Sequence, residues 1–213
     1  MTPTTTVAQV TATATSRRLV AVAFLALAAA LAVVGCGGAG SSSPSTGGAS
    51  HRSPGAFAWL SPAAPPATWT LARLPSGQAS LPYPPGWKQI ESDPGTVSAA
   101  LMGANGTIRG YLNATPRQGQ ETFANWASFR PAHNADEGDR HVVTDAAARN
   151  LRFRTGTGTC VIDHYATSAA RYREIACLVH GSRADTVVVG ATLPGDWQQL
   201  GPMVKRAIAG FAT

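Results

Sequence analysis

The chain reads as an α+β domain: a mostly antiparallel sheet of about six or seven strands, with a mid-chain helix and a C-terminal helix packed on it. Three observations predict this. Short segments of alternating apolar and polar residues are separated by tight-turn signals, the pattern of hairpin-connected strands. Helical spacing occurs twice, at residues 121–129 and from Asp196 onward. The run Thr186-Val187-Val188-Val189 has the continuous β-branched character of a strand covered on both faces. With 44% apolar and only 13% charged residues, the chain is neither a disordered acidic tail nor a polytopic membrane protein.

The elements follow in order. Residues 68–74 form a first strand, with Trp69 and Leu71 on one face. Tyr83-Pro84-Pro85-Gly86-Trp87 is a rigid turn that delivers an aromatic to the core, because prolines fix the chain and glycine permits a tight reversal. Asn105-Gly106 separates two alternating segments, 96–103 and 107–114, and predicts a two-residue type I′ hairpin turn. The helix over 121–129 places Phe123, Trp126 and Ala127 at helical spacing, and Pro131 ends it. Strands at 141–145 and 151–154 come next, then a hairpin of 157–166 with 172–179 and the strand 185–192. The last helix carries Trp197, Leu200, Val204, Ile208 and Phe211 as one apolar stripe. Asp196 with Gln199 suggests a capping box, and Pro202 is expected to split or kink this helix.

The N-terminal residues specify an address. Arg17-Arg18 precede an uncharged apolar run, residues 19–34, too short for a membrane span of roughly 20 residues but suited to a signal segment. Val33-Val34-Gly35-Cys36 then resembles the bacterial lipobox. The resemblance implies a signal peptide over 1–35, diacylglycerol on Cys36, and anchoring at the extracytoplasmic face of the cell membrane. The alternative is an uncleaved anchor with a chance cysteine. Ser16-Arg17-Arg18-Leu19 also half-resembles a twin-arginine signal without its full continuation. A Gly/Ser/Pro-rich tether over 36–67 leads to a single domain over 68–213. The net charge of +6 loses two with the leader arginines, and the mild excess that remains predicts no nucleic-acid partner.

Cys160 and Cys177 are symmetric about a hairpin centred between Ser168 and Ala169, so they face each other across the strand pair. An oxidising compartment permits the crosslink. The rival reading, a Cys160 thiol activated by His164, fails on geometry: four residues along one strand separate them by roughly 13 Å.

Asp163 and Glu174 are opposed by the same symmetry, on the face away from the cysteines. Paired carboxylates can perform acid/base work or hold calcium, and they repel unless compensated. Arg171 and Arg173, or Arg152 and Arg154, are the cations available. With His164 and Arg173, the pair forms the candidate ligand or ion site; a surface charge network is the plainer reading. His133, Asp136, Glu137, Asp139 and His141 are a second polar cluster, with residue types that suit zinc or manganese in a spacing that matches no established motif. No metal, cofactor or catalytic residue is therefore assigned. Arg149, Arg152, Arg154, Arg171, Arg173 and Arg183 make a candidate basic face beside a bilayer. No Gly-x-Ser-x-Gly, P-loop, HExxH or SxxK occurs.

The order of strand, Tyr83–Trp87 turn, hairpin, helix, meander and terminal helix is similar to the PsbP/Mog1-like domain of bacterial envelope lipoproteins. That resemblance implies a binding or accessory module for an envelope protein or ligand, without catalytic groups. The alternative is an extracytoplasmic hydrolase or metal-dependent enzyme using Asp163 and Glu174 or the 133–141 cluster.

Overall fold

A computed structural model describes residues 54–213. The signal segment, Cys36 and the first part of the tether lie outside the described residues.

Nine strands and two α-helices are found among the described residues. A small hairpin, β1 (Thr70–Arg73) with β2 (Ser80–Tyr83), precedes a seven-stranded sheet. The sheet strands are β3 (Lys88–Ile90), β4 (Val97–Met102), β5 (Ile108–Pro116), β6 (Arg140–Arg152), β7 (Gly156–Ala166), β8 (Arg171–Gly181) and β9 (Asp185–Thr192). Their spatial order is β3-β4-β5-β9-β8-β7-β6, and every neighbouring pair is antiparallel. Helix α1 (Trp126–Asp136) joins β5 to β6, and α2 (Trp197–Gly210) follows β9. The α+β expectation holds.

Alternation along β8 assigns the two faces. Ile175, Cys177 and Val179 belong to the larger core, with Val204, Ile208 and Phe211 at the end of the chain and Leu81 of β2. Ala176 and Leu178 point the other way, against Trp126. β9 is buried along nearly its whole length, as its β-branched run predicts. Gly190 lets α2 approach: a Cβ there would stand 2.5 Å from Val204 Cγ1 and 3.1 Å from Leu112 Cδ2.

Several expectations need correction. In β1 the buried residue is Ala72, while Leu71 is 47% exposed; Trp69, just ahead of the strand, packs partly buried against the core. The Pro-Pro-Gly turn does deliver Trp87 to the core, with Gly86 at φ 86°, and it also separates two strands, β2 and β3, too short to stand out. At Asn105-Gly106 only Gly106 has positive φ, 79°. Gly106 N–H donates to Gly103 O at 3.0 Å and Gly103 N–H to Thr107 O at 2.7 Å. These bonds close a three-residue loop with a glycine bulge rather than a type I′ turn.

Pro131 does not end α1; it sits inside it. The predicted helix began too early as well. Residues 122–125 form a lead-in turn in which Thr122 N–H donates to Asn125 Oδ1 and Asn125 N–H to Thr122 Oγ1. The backbone bond lost at Pro131 is offset by two anchors ahead of it, and by the buried Asn134 after it. Trp126 is 2% exposed and its Nε1–H donates to Ala176 O at 3.0 Å, and Arg130 enters an ion pair described below. The expected strands 141–145 and 151–154 are one strand, β6, interrupted by register shifts, with His141 and Asn150 at positive φ. Likewise α2 runs from Trp197 through Pro202 to Gly210. Asp196 makes no capping bond there, because its carboxylate accepts from Arg109 Nε at 3.0 Å. Finally, packing begins before Thr68: Phe57, in a 3-10 turn at Pro54–Phe57, is 2% exposed within the main core.

Candidate functional site

The register of β7 with β8 pairs Asp163 with Glu174 and Cys160 with Cys177, as their symmetry about Ser168–Ala169 predicts. Cys160 and Cys177 are joined by a disulfide. Asp163 and Glu174 are both fully buried under α1. Two carboxylates at opposed positions in a dry interface repel unless a cation intervenes. The cation is Arg130 of α1. Its Nε and Nη2 donate to the two oxygens of Glu174 at 2.7 and 2.9 Å, a bidentate pair. Tyr165 donates its hydroxyl to Glu174 Oε2 at 3.2 Å.

Asp163 is treated differently. Both of its carboxylate oxygens are buried without a hydrogen-bond partner. Burial, followed by the neighbouring charge of Glu174, pushes its carboxyl up to about 8, against the opposing pull of Arg130. The site thus favours the neutral form of Asp163. Burial works against the charge of Arg130, but the charge and hydrogen bonds of Glu174 outweigh it and hold the guanidinium above its usual range. Tyr165 is likewise raised, first by burial and then by Glu174.

Above the ion pair lies a cleft of about 330 Å³ between α1 and the sheet, lined by Tyr111, Asn113, Arg130, His133, Asn134 and Glu174 among others. Asn113 Nδ2 donates to Ser98 Oγ at 3.0 Å, and Ser98 Oγ lies 3.2 Å from Tyr111 Oη, so this wall is pre-ordered. Asn134 is 1% exposed and its Nδ2 has no partner. His133 stacks on Phe129 and lies 3.2 Å from Glu137 Oε1.

The four residues grouped from the sequence do not form one site. His164 and Arg173 have the parity of the cysteines and share the α2 side of the sheet, away from Asp163 and Glu174. His164 Nδ1 lies 2.9 Å from Asp145 Oδ1, and Arg173 stacks over Trp197 at 4.7 Å. The polar cluster also divides: His133 pairs with Glu137 at the C-terminal end of α1, while His141 lies on β6 at a different pocket. Among the described residues no group of three or more His, Cys, Asp or Glu side chains is arranged to hold a metal. The proposed basic face is split between the two ends of the sheet. Arg152 is registered with Thr157, whereas Arg171 is registered with Ala166 at the far end of β7. Arg149 donates to Ala124 O and Arg154 to Gly210 O, so both are structural ties. Arg130 escaped the sequence reading, although a buried carboxylate pair demands a cation from whatever element covers it.

No family model matches the chain, and no curated protein matches it. Solved structures do. The cyanobacterial PsbP (CyanoP) from Synechocystis sp. PCC 6803 is 12% identical with a TM-score of 0.49, over 69% of this chain and 93% of that one. LpqN, a protein involved in cell envelope biogenesis of Mycobacterium tuberculosis, is 13% identical with a TM-score of 0.39, over 68% and 89%. PA94 from Pseudomonas aeruginosa, a protein of unknown function, is 15% identical with a TM-score of 0.38, over 66% and 94%. No residue role passes from them to this chain. No helix among the described residues is long and apolar enough to cross a membrane.

Proposed function

We propose that this chain is a lipid-anchored cell-envelope protein whose PsbP/Mog1-like α+β domain is a non-catalytic binding or accessory module. One observation carries the binding half of this reading: the opposed carboxylates that acid/base work would use are either tied to a cation or closed to solvent. Glu174 has both oxygens committed to Arg130 and one also to Tyr165, and Asp163 is 0% exposed. Around them the cleft presents a pre-ordered wall of hydroxyl and amide groups together with His133 and the carboxylates of Asp93, Glu137 and Asp139, the equipment of polar recognition. The anchoring half rests on the lipobox at Cys36 and the signal segment before it.

A photo-crosslinking residue at Gln118, on the cleft rim, tests the reading in intact cells, with Arg206 on α2 as the control position. A discrete adduct from Gln118 alone supports it; equal adducts from both positions, or none, contradict it. The second reading, an extracytoplasmic hydrolase, draws on the raised pKa of Asp163. It requires substrate to reach a carboxylate that solvent does not.

A further inference from the structure

A second concavity, of about 580 Å³, opens at the other side of the β7–β8 hairpin, where Pro194 leads into α2. Its charged lining is Arg171, Arg173, His141 and His164 against a single acid, Asp145. Arg171 is exposed and enters no ion pair or hydrogen bond among the described residues. Asp145 is shared. Its Oδ1 lies 2.9 Å from His164 Nδ1 and its Oδ2 3.5 Å from Arg173 Nη2, which orients the imidazole and leaves Nε2 available. Arg173 is held flat on Trp197, and its Nε is buried with no hydrogen-bond partner. His141 is brought here by the β6 irregularity that places it at φ 55°. Tyr165 and Tyr172, which alternate to the side of the carboxylates, border the pocket from its edge and supply a wall there, with ring centroids 6.0 Å apart. Two permanent cations and two imidazoles thus converge on a pocket with one carboxylate and an aromatic side.

We propose that this pocket binds a phosphate ester, with Arg171 and Arg173 taking the phosphate oxygens and the tyrosine wall taking the adjoining apolar or ring-bearing portion. Two guanidinium groups and two imidazoles offer donors from several directions, which suits a tetrahedral group with three or four acceptor oxygens better than a planar carboxylate. The partly neutralising Asp145 confines the phosphate to the Arg171 side, since the Asp145 carboxylate already occupies the space between His164 and Arg173. The phosphate has two candidate sources: a soluble phosphomonoester or the headgroup of an anionic phospholipid.

The test is titration calorimetry with the full chain in neutral detergent. Three probes are used: glycerol phosphate, phosphatidylglycerol in mixed micelles, and phosphatidylcholine in mixed micelles. Saturable binding of glycerol phosphate supports the pocket and assigns a soluble source. Binding of phosphatidylglycerol micelles alone supports it and assigns a lipid source. In either case Arg171→Glu, at an exposed position outside the core, weakens binding at least about tenfold with an unchanged melting temperature. Arg173→Lys, which keeps the charge but loses the planar stack and fork, weakens it less. Equal affinity for Arg171→Glu and the parent chain overturns the proposal. So do an absence of binding to all three probes and, where glycerol phosphate does not bind, equal binding of phosphatidylcholine and phosphatidylglycerol.

Discussion

Arg130 grips Glu174 through both carboxylate oxygens, so a helix that contains a proline is fastened to the middle of the sheet by a buried ion pair. A pair of this kind is asymmetric in its energetics: its net contribution is small, but either half left alone is expensive. Arg130→Met is therefore expected to destabilise the domain by about 3–5 kcal/mol. Arg130→Met combined with Glu174→Leu recovers most of that loss. Urea unfolding of the two variants checks it; equal destabilisation in single and double variants contradicts the pairing.

Asp163 makes stability depend on pH in a fixed direction. The unfolded carboxyl titrates near its ordinary value of 3.8 and the folded one is pushed up to about 8. Between those values the folded state holds the extra proton, so stability falls as pH rises through the window. Asp163→Asn removes that slope and makes the variant more stable than the parent above pH 8. Melting temperatures from pH 4 to pH 9 read this out, and parallel profiles for the two proteins would refute it.

The disulfide closes a loop with a sequence separation of 17. Replacing both Cys160 and Cys177 with alanine is expected to cost about 2–4 kcal/mol. Labelling of the unfolded, unreduced mature protein should find no free thiol, whereas two reactive thiols contradict the bond.

Gly110 makes room for Trp87. A Cβ there would stand 2.6 Å from Trp87 Cη2, so Gly110→Ala must push the indole or bend β5. A loss of about 1–3 kcal/mol is expected, with a shift in tryptophan fluorescence. Gly95→Ala is the contrasting case: a Cβ there meets nothing, so its cost comes only from the backbone at φ 85°.

The legible parts of the fold were those governed by local rules. The β7–β8 register follows from a two-residue turn at Ser168–Ala169, and the stripe from Leu200 to Phe211 follows from helical spacing. What stayed hidden depended on tertiary compensation. Pro131 and Pro202 read as helix breakers, yet buried anchors on either side carry α1 and α2 through them. The β6 bulges at His141 and Asn150 made one strand read as two. Half of the candidate site was visible, because strand parity opposes Asp163 to Glu174. The other half, Arg130, was not, because it comes from a helix placed too early along the chain. The same parity also separates His164 and Arg173 from the carboxylates, onto the side where the second pocket forms.

The proposal that the domain works from a bilayer, recognising rather than transforming, is tested most directly at its first mature residue. Mass spectrometry of the N-terminal peptide from the membrane fraction is predicted to show Cys36 carrying diacylglycerol, with residues 1–35 removed. An unmodified Cys36, or protein recovered with the cytosol, would contradict the account.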